Sequence, residues 1–454
     1  MAAPLTLERL RVAVAEHDID TVVVAITDMQ GRLQGKRFYA PHFIDEVVHH
    51  GTEGCNYLLA VDVEMNTVDG YAMSSWSRGY GDFAMMPDFS TLRRVPWQPG
   101  TAMVLADLTW LDGHEPVLAS PRQILQAQLA RLADVGFRAY AGTELEFIAY
   151  RNSYEDAYRR RYTDLTPANV FNADYSLLQT ARIGPLLRRI RNEMAGAGLT
   201  PESAKGECNL GQHEIAFRYD NALACADHHV IYKNGAKEIA AQEGVSLTFM
   251  AKPNQREGNS CHIHFSLRGV ADGRPAGAGD GPAGISPVMG HAMAGLLATM
   301  REFTLMYAPN INSYKRYAVG SFAPTAVRWG ADNRTCSLRV VGHGPSLRVE
   351  NRVPGADVNP YLAIAAMVAG AVHGITHELS LEDAYAGNAY DDAEAPHVPG
   401  TLRDALVLWE ESELARQAFG AEVVEHYANN ARVELAAFDA AVTDWELLRG
   451  FERL

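Results

Sequence analysis

The sequence predicts an α+β protein built on antiparallel sheet. Strand-like segments follow one another without a helix between them, at 245–251 and 260–268 and again at 324–341 and 346–353. Long helical patterns stand apart from those pairs, and a chain of 454 residues that is 47% hydrophobic and 21% charged can bury a large core. In order along the chain, TVVVAITD at 21–28 is a β-branched run ending at Asp28, and Gly31 and Gly35 then allow a turn into another strand. TAMVLADLTWL at 101–111 is the next strand. The loop DGHEP after it puts a domain boundary near His114, dividing the chain into 1–114 and 115–454. Ser120 opens a helix as N-cap, with Pro121 at the first helical position, Gln123 closing a capping box and Gly136 beyond the last turn; Leu125, Leu129 and Leu132 form its apolar face. Beyond it the pattern predicts a strand at 137–150, a helix at 185–197, a strand at 212–218 and a helix from Asp227 to Gln242. The paired strands follow, with a helix at 286–306 between the pairs and one from Asn359 to Ile375 after them, and the tail, 401–454, is mostly helical.

Charge and composition exclude several functions. Lys and Arg number 40 against 55 Asp and Glu, and a formal charge of -15 opposes nucleic acid or an anionic membrane as the main partner. Tyr361 to Ile375 is the longest apolar stretch, contains His373 and falls short of the ~18 residues a membrane span needs. The first residues lack a basic stretch leading into an apolar one, so the expected location is the cytoplasm. Cys55, Cys208, Cys225, Cys261 and Cys336 are scattered without a CxxC pair, which fits reduced thiols.

The chemistry-bearing residues lie on strands. In GTELEFIAYR the period of two puts Glu144 and Glu146 on one face and Leu145, Phe147 and Ala149 on the other. KGECNLGQHEIAFRY brings Glu207 and Glu214, with Gln212 on the face of Glu214. In GNSCHIHFSL, His262, His264 and Ser266 share a face opposite Cys261, Ile263, Phe265 and Leu267; such a pair of histidines suits one metal and one phosphate, or zinc for both. SLRVENRVP adds Arg348, Glu350 and Arg352. Taken singly, the glutamate-bearing segments read as ordinary strand faces, whereas the histidine pair reads as readily as a ligand pair. Together they place five carboxylates on one sheet, and two carboxylates 4 Å apart repel by ~4 kcal/mol at an effective dielectric near 20. Such a cluster needs cations, and carboxylates with one or two histidines suit hard divalent ions such as Mg or Mn. Lys315, Arg316, Arg334 and Arg339 offer cations for phosphates and substrate carboxylates, which points to phosphoryl chemistry, and no GxxxxGK[ST] loop is present to supply it otherwise.

With these residues in place, the chain resembles the glutamine synthetase superfamily over nearly its whole length. GTELEFIAY, KGECNLGQHEI, FMAKPNQREGNSCHIHFSL, INSYKRYAVGSFAP, DNRTCSLRVV and RVENRVPGADVNPYLA occur in that family's order. The resemblance implies an N-terminal β-grasp domain and a C-terminal catalytic domain, assembled as a dodecamer of two stacked hexameric rings with active sites between subunits. It implies that Glu146, Glu207 and Glu214 hold one metal and Glu144, His262 and Glu350 the other. His264, Ser266, Arg339 and Arg348 would face ATP, Arg316 and Arg352 would hold glutamate, and Arg334 would meet the transferring phosphoryl group. The implied reaction runs from ATP and glutamate through γ-glutamyl phosphate to an amide, and Glu207 is the candidate to relay the amine proton.

Three departures separate this sequence from the family's ammonia-using members. Phe322 of GSFAP stands where the family carries a flap glutamate, and Asn56 is the nearest counterpart of an aspartate that handles ammonium. The segment around Tyr390, GNAYDDAE, is unlike the family's adenylylated loop. Losing two carboxylates removes both the attraction for ammonium and its base, and a ring adds an apolar wall. The pattern resembles the branch that glutamylates organic amines, with ethanolamine as the expected acceptor. A polyamine ligase, an ammonia-using synthetase, a zinc hydrolase built on HIH and a non-catalytic relative are the alternatives.

Overall fold

The structure is a computed structural model that describes residues 5–454. Among them stand a six-stranded and a nine-stranded sheet. The first comprises β1 (Thr21–Thr27), β2 (Leu33–Tyr39), β3 (Thr52–Cys55), β4 (Asp82–Pro87), β5 (Arg93–Arg94) and β6 (Thr101–Trp110), in the order β2-β1-β6-β4-β3 with β5 on β6. The turn after β1 forms because buried Asp28 accepts from the backbone N–H groups of Gln30 at 3.0 Å and Arg32 at 2.8 Å, while Gly31 takes the left-handed φ of 77° that a side chain disfavours.

The second sheet comprises β7 (Phe137–Tyr150), β8 (Pro201–Gly206), β9 (Gln212–Phe217), β10 (Asp220–Asn221), β11 (Ser246–Thr248), β12 (Cys261–Gly269), β13 (Trp329–Ala331), β14 (Leu338–Val341) and β15 (Arg348–Asn351). Its order is β13-β14-β15-β12-β7-β9-β8, and every pairing in it is antiparallel except β13 with β14. The expected strand over 324–341 is therefore two short ones. Asn333 breaks it, its side-chain oxygen accepting from the backbone N–H and the hydroxyl of Thr335 at 3.0 and 2.7 Å.

Helix ends differ from expectation for similarly local reasons. The helix expected from Asp227 begins at Ala222, because Asn221 caps it by accepting from Ala224 N at 3.0 Å. That expected over 286–306 splits into Pro287–Thr299 and Thr304–Tyr307, and the Thr299 and Thr304 hydroxyls both donate back to carbonyls of the preceding turn. The Pro121–Asp134 helix starts where expected, but without the capping box. Gln123 instead reaches β6, its amide donating to Leu108 O at 2.6 Å and accepting from Leu108 N at 3.2 Å.

The apolar face of β12, Cys261, Ile263, Phe265 and Leu267, is fully buried. The Pro360–Thr376 helix is apolar all round and correspondingly enclosed; it crosses the Pro287–Thr299 helix where a Cβ on Gly295 would lie 2.0 Å from Gly370 O. One guanidinium joins the first sheet to the Ala222–Gln242 and Pro360–Thr376 helices. Arg122, 4% exposed, donates to Asp88 and Asp107 of the first sheet's segment at 2.6 Å each and to Asp227 at 3.0 Å, and Tyr361 Oη donates to the same Asp227 at 2.6 Å. Removing one partner from a buried network of this kind costs about 3–5 kcal/mol. The five cysteines are free, and among the described residues no helix is long and apolar enough to cross a membrane.

Candidate active site

Strand register assembles the site. β7 pairs with β12 so that Glu144 faces His262, β12 with β15 so that His264 faces Glu350, and β15 with β14 so that Glu350 faces Arg339. On the other side of β7, Glu146 faces Glu214 of β9, which in turn faces Lys205 of β8. Directly opposed residues project to the same face, so six neighbouring strands deliver their ionisable side chains to one surface. All of them but His264 line a cavity of about 300 Å³ there, together with Phe322 and Arg334.

Two donor groups form. One oxygen each from Glu146, Glu207 and Glu214 lie within 4.8 Å of one another, and so do donor atoms of Glu144, His264 and Glu350. His262 borders the second group as well, with Nδ1 3.3 Å from Glu144 and 3.4 Å from Glu350. The two histidines are not equivalent. His264 has both ring nitrogens engaged, Nε2 with Glu144 at 2.8 Å and Nδ1 as acceptor from Arg348 Nε at 3.1 Å. His262 Nε2 is buried and finds no hydrogen-bond partner among the described residues. Burial, and then Arg352, lower the His262 pKa to about 4, so its ring is neutral at pH 7 and keeps a lone pair for a cation. The resemblance gives the metal to His262, whereas the donor group whose atoms lie within 4.8 Å of one another contains His264.

The electrostatics also fit a divalent ion. Burial and the neighbouring carboxylates push Glu146 well above the usual carboxylate range and Glu214 up to about 8, and burial raises Glu207 despite Lys205 beside it. Burial acts the same way on Glu144 and Glu350, but their histidine neighbours, joined by Arg352 at Glu350, outweigh it and hold both carboxyls below the usual range. The first trio is thus a set of hard oxygen donors that cannot all ionise together without a cation.

Not every expected residue reaches this cavity. Arg339 and Arg352 line it and donate to Glu350, Arg339 at 2.9 Å. Arg352 Nη2 also donates to Phe322 O at 3.3 Å, and its buried Nε has no partner among the described residues. Arg316 is 2% exposed and lies behind the wall, donating to Ser260 Oγ and to the carbonyls of Arg352 and Val353, while its buried Nε, like that of Arg352, has no partner among the described residues. Asn56 lies buried in the N-terminal segment, donating to Met73 O at 3.2 Å and accepting from Ser74 Oγ at 2.6 Å. Neither Arg316 nor Asn56 is among the residues lining the cavity. Ser266 and Arg348 instead line a neighbouring cavity of about 430 Å³, whose wall includes Glu144 and His264. Phe322 is half-exposed at the rim with a left-handed φ of 58°, unusual for a residue with a side chain. Sequence reasoning passed over Lys205, Asp174 and Tyr175, which line the cavity beside Glu207. For Lys205 the signal was available, since it stands two residues before Glu207 in an extended segment.

Comparison with known proteins decides the family. Residues 118–449 match the model of the glutamine synthetase catalytic domain. The chain belongs to the glutamine synthetase family. It is 68% identical over 451 residues to γ-glutamylethanolamide synthetase GlnA4 of Streptomyces coelicolor, covering 99% of this chain and 96% of that one. A glutamate–isopropylamine ligase of a Pseudomonas species is 39% identical, with 97% of each chain covered. Glutamine synthetase of Mycobacterium tuberculosis is 31% identical, with 95% of this chain and 96% of that one covered. The solved structure of GmaS with ADP superposes with a TM-score of 0.85 at 27% identity, covering 98% and 99% of the two chains. The fold is of glutamine synthetase type, and this family member is a glutamate–amine ligase. Ligases of the family use ATP and divalent metal ions.

The raised carboxyls set a pH dependence. A carboxyl whose native pKa exceeds its unfolded value stabilises the fold below the unfolded pKa and loses that contribution as pH rises through the native one. For Glu214 the window runs from the ordinary carboxylate range to about 8. The metal-free protein should therefore melt at a lower temperature near pH 8 than near pH 6, and a divalent ion should raise Tm more at the higher pH. Thermal scans with chelator or with added ion at the two pH values check this, and equal ion-induced shifts would contradict it.

Proposed function

We propose that this ligase joins glutamate to a small organic amine, ethanolamine first among them, through γ-glutamyl phosphate, with ATP as phosphoryl donor and Mg2+ or Mn2+ as the ions. The observation that carries this reading is Phe322, which lines the acidic cavity at the position where the family's ammonia-using members are expected to carry a flap acid. Two relatives with names that specify organic-amine products or substrates, the ethanolamide synthetase and the isopropylamine ligase, support it.

Glu146, Glu207 and Glu214 would hold one ion and Glu144, His262 and Glu350 the other. Ions bound there would offset phosphate charge as the phosphoryl group moves. Arg352, whose Nε is unpartnered, is suited to a glutamate carboxylate, and exposed Arg334 to the phosphoryl oxygens. His264, Ser266, Arg339 and Arg348 would face the nucleotide. Arg316 would act from behind by fixing the carbonyl of Arg352. A γ-carboxylate oxygen of glutamate attacks the γ-phosphorus of ATP and ADP leaves. The neutral amine then attacks the γ-carbonyl carbon, phosphate leaves, and the amine proton passes to Glu207 or to water.

We further assign the two domains to either side of His114, with the first as the β-grasp domain, and propose assembly into stacked hexameric rings. The helix Asp444–Gly450 and the residues after it favour self-association, because Trp445, Leu448, Phe451 and Leu454 are all exposed. In such rings Asn56 would approach a neighbouring subunit's cavity. Phosphate release with ATP, glutamate and a panel of ammonium, ethanolamine, isopropylamine, putrescine and spermidine tests the function. Ethanolamine should be used most efficiently; glutamine formation from ammonium at equal efficiency would overturn the reading.

A further inference from the structure

Lys205 sits two residues before Glu207 and directly opposite Glu214, so its side chain shares the face that carries the carboxylates. Its ammonium forms an ion pair with Glu207 and lies 4.8 Å from the centre of the Tyr175 ring, and all three residues line the cavity that Phe322 borders. A carboxylate beside an aromatic face is the surrounding that a free alkylammonium or ammonium ion would seek. Here the chain fills that corner with a cation of its own.

The charge count gives the arrangement its meaning. Glu146, Glu207 and Glu214 bring three negative charges when ionised. One divalent ion leaves one of them, and Lys205 cancels it. We infer that Lys205 is a specificity-determining residue, a resident cation that neutralises the ion-bound Glu146, Glu207 and Glu214 trio and occupies the one carboxylate-and-aromatic corner beside it, and so selects primary amines with an uncharged remainder. The acceptor is then held as the free base by its carbon chain and the Phe322 ring. An acceptor carrying a second ammonium group finds the corner between the Glu207 carboxylate and the Tyr175 ring already taken by Lys205. This inference rests on the amine-ligase reading, and adds to it the expectation that a cavity so rich in carboxylates nevertheless disfavours polycations.

The decisive pair of acceptors is an aminopropanol and a diaminopropane of equal chain length, which differ only in a terminal hydroxyl or ammonium group. The unaltered enzyme should favour the aminopropanol in kcat/KM by about tenfold or more, Lys205→Gln should shrink that ratio by about tenfold, and Lys205→Arg should restore it. A second readout needs no turnover. Mn2+ binding to protein free of ATP and glutamate, followed by equilibrium dialysis, should be about tenfold tighter in Lys205→Gln, because the ammonium no longer competes for Glu207, and should return toward the original value in Lys205→Arg. Equal use of the two acceptors by the unaltered enzyme overturns the inference whether or not any variant folds. So does a Lys205→Gln protein with both the ratio and the Mn2+ affinity unmoved. An enzyme that glutamylates no organic amine removes the proposed function instead, which keeps the two failures distinct.

Discussion

Glu214→Ala should lower ATP-dependent turnover by about a thousandfold or more, with saturating Mg2+ or Mn2+ unable to restore it. Glu214 faces both Glu146 and Lys205 across the sheet and supplies one of three oxygens within 4.8 Å of one another. Without it, two carboxylates beside a lysine carry a net single charge, too little to retain a hard divalent ion against water. The fold itself should gain. Because burial raises this carboxyl to about 8, its removal relieves the part of the pH-dependent instability that arises there, so the metal-free variant should melt above the unaltered protein near pH 8. Phosphate release and thermal scans on the same preparation give both results. Turnover within about tenfold of the original would mean that the trio does not hold the ion.

Phe322→Glu should move acceptor preference toward ammonium, raising its kcat/KM by about tenfold and lowering that for ethanolamine by a similar factor. The substitution changes what faces the cavity with little demand on the backbone. The left-handed conformation at this residue is as unusual for Glu as for Phe, and Arg352 holds the carbonyl rather than the side chain. Adding Asn56→Asp would confuse the test. The Asn56 amide donates to Met73 O, a bond an aspartate cannot make, and a buried polar group left unpaired costs about 1–3 kcal/mol. Competition between labelled ammonium and ethanolamine for γ-glutamyl phosphate measures the shift, and an unchanged product ratio would show that the ring has no part in acceptor choice.

The strands that carry the carboxylates were legible because alternation alone assigns a side chain to a face, as with Glu144 and Glu146 or His262 and His264. Which strands stand side by side was not, since the neighbours of β7 come from 212–217 and 261–269 and only the completed sheet relates them. Arg316 shows the limit most plainly. Its guanidinium type and motif suit a substrate carboxylate, but packing against Ser260 and two backbone carbonyls turns it inward. Gln123 and Asn221 show the same limit at helix ends. A side chain that can cap its own helix can also bond to a strand, and a cap is recognised only when the first turn behind it is known.

Arg122 carries a consequence for the making of chimaeras. Its partners Asp88 and Asp107 precede it in the chain, whereas Asp227 and Tyr361 follow it by more than a hundred residues. A graft that brings the first sheet from another family member, however well its apolar surface matches, would leave a buried guanidinium facing whatever that donor holds at positions 88 and 107. Exchange of N-terminal segments among these ligases is therefore constrained less by where the chain is cut than by whether both parents place carboxylates around the same arginine.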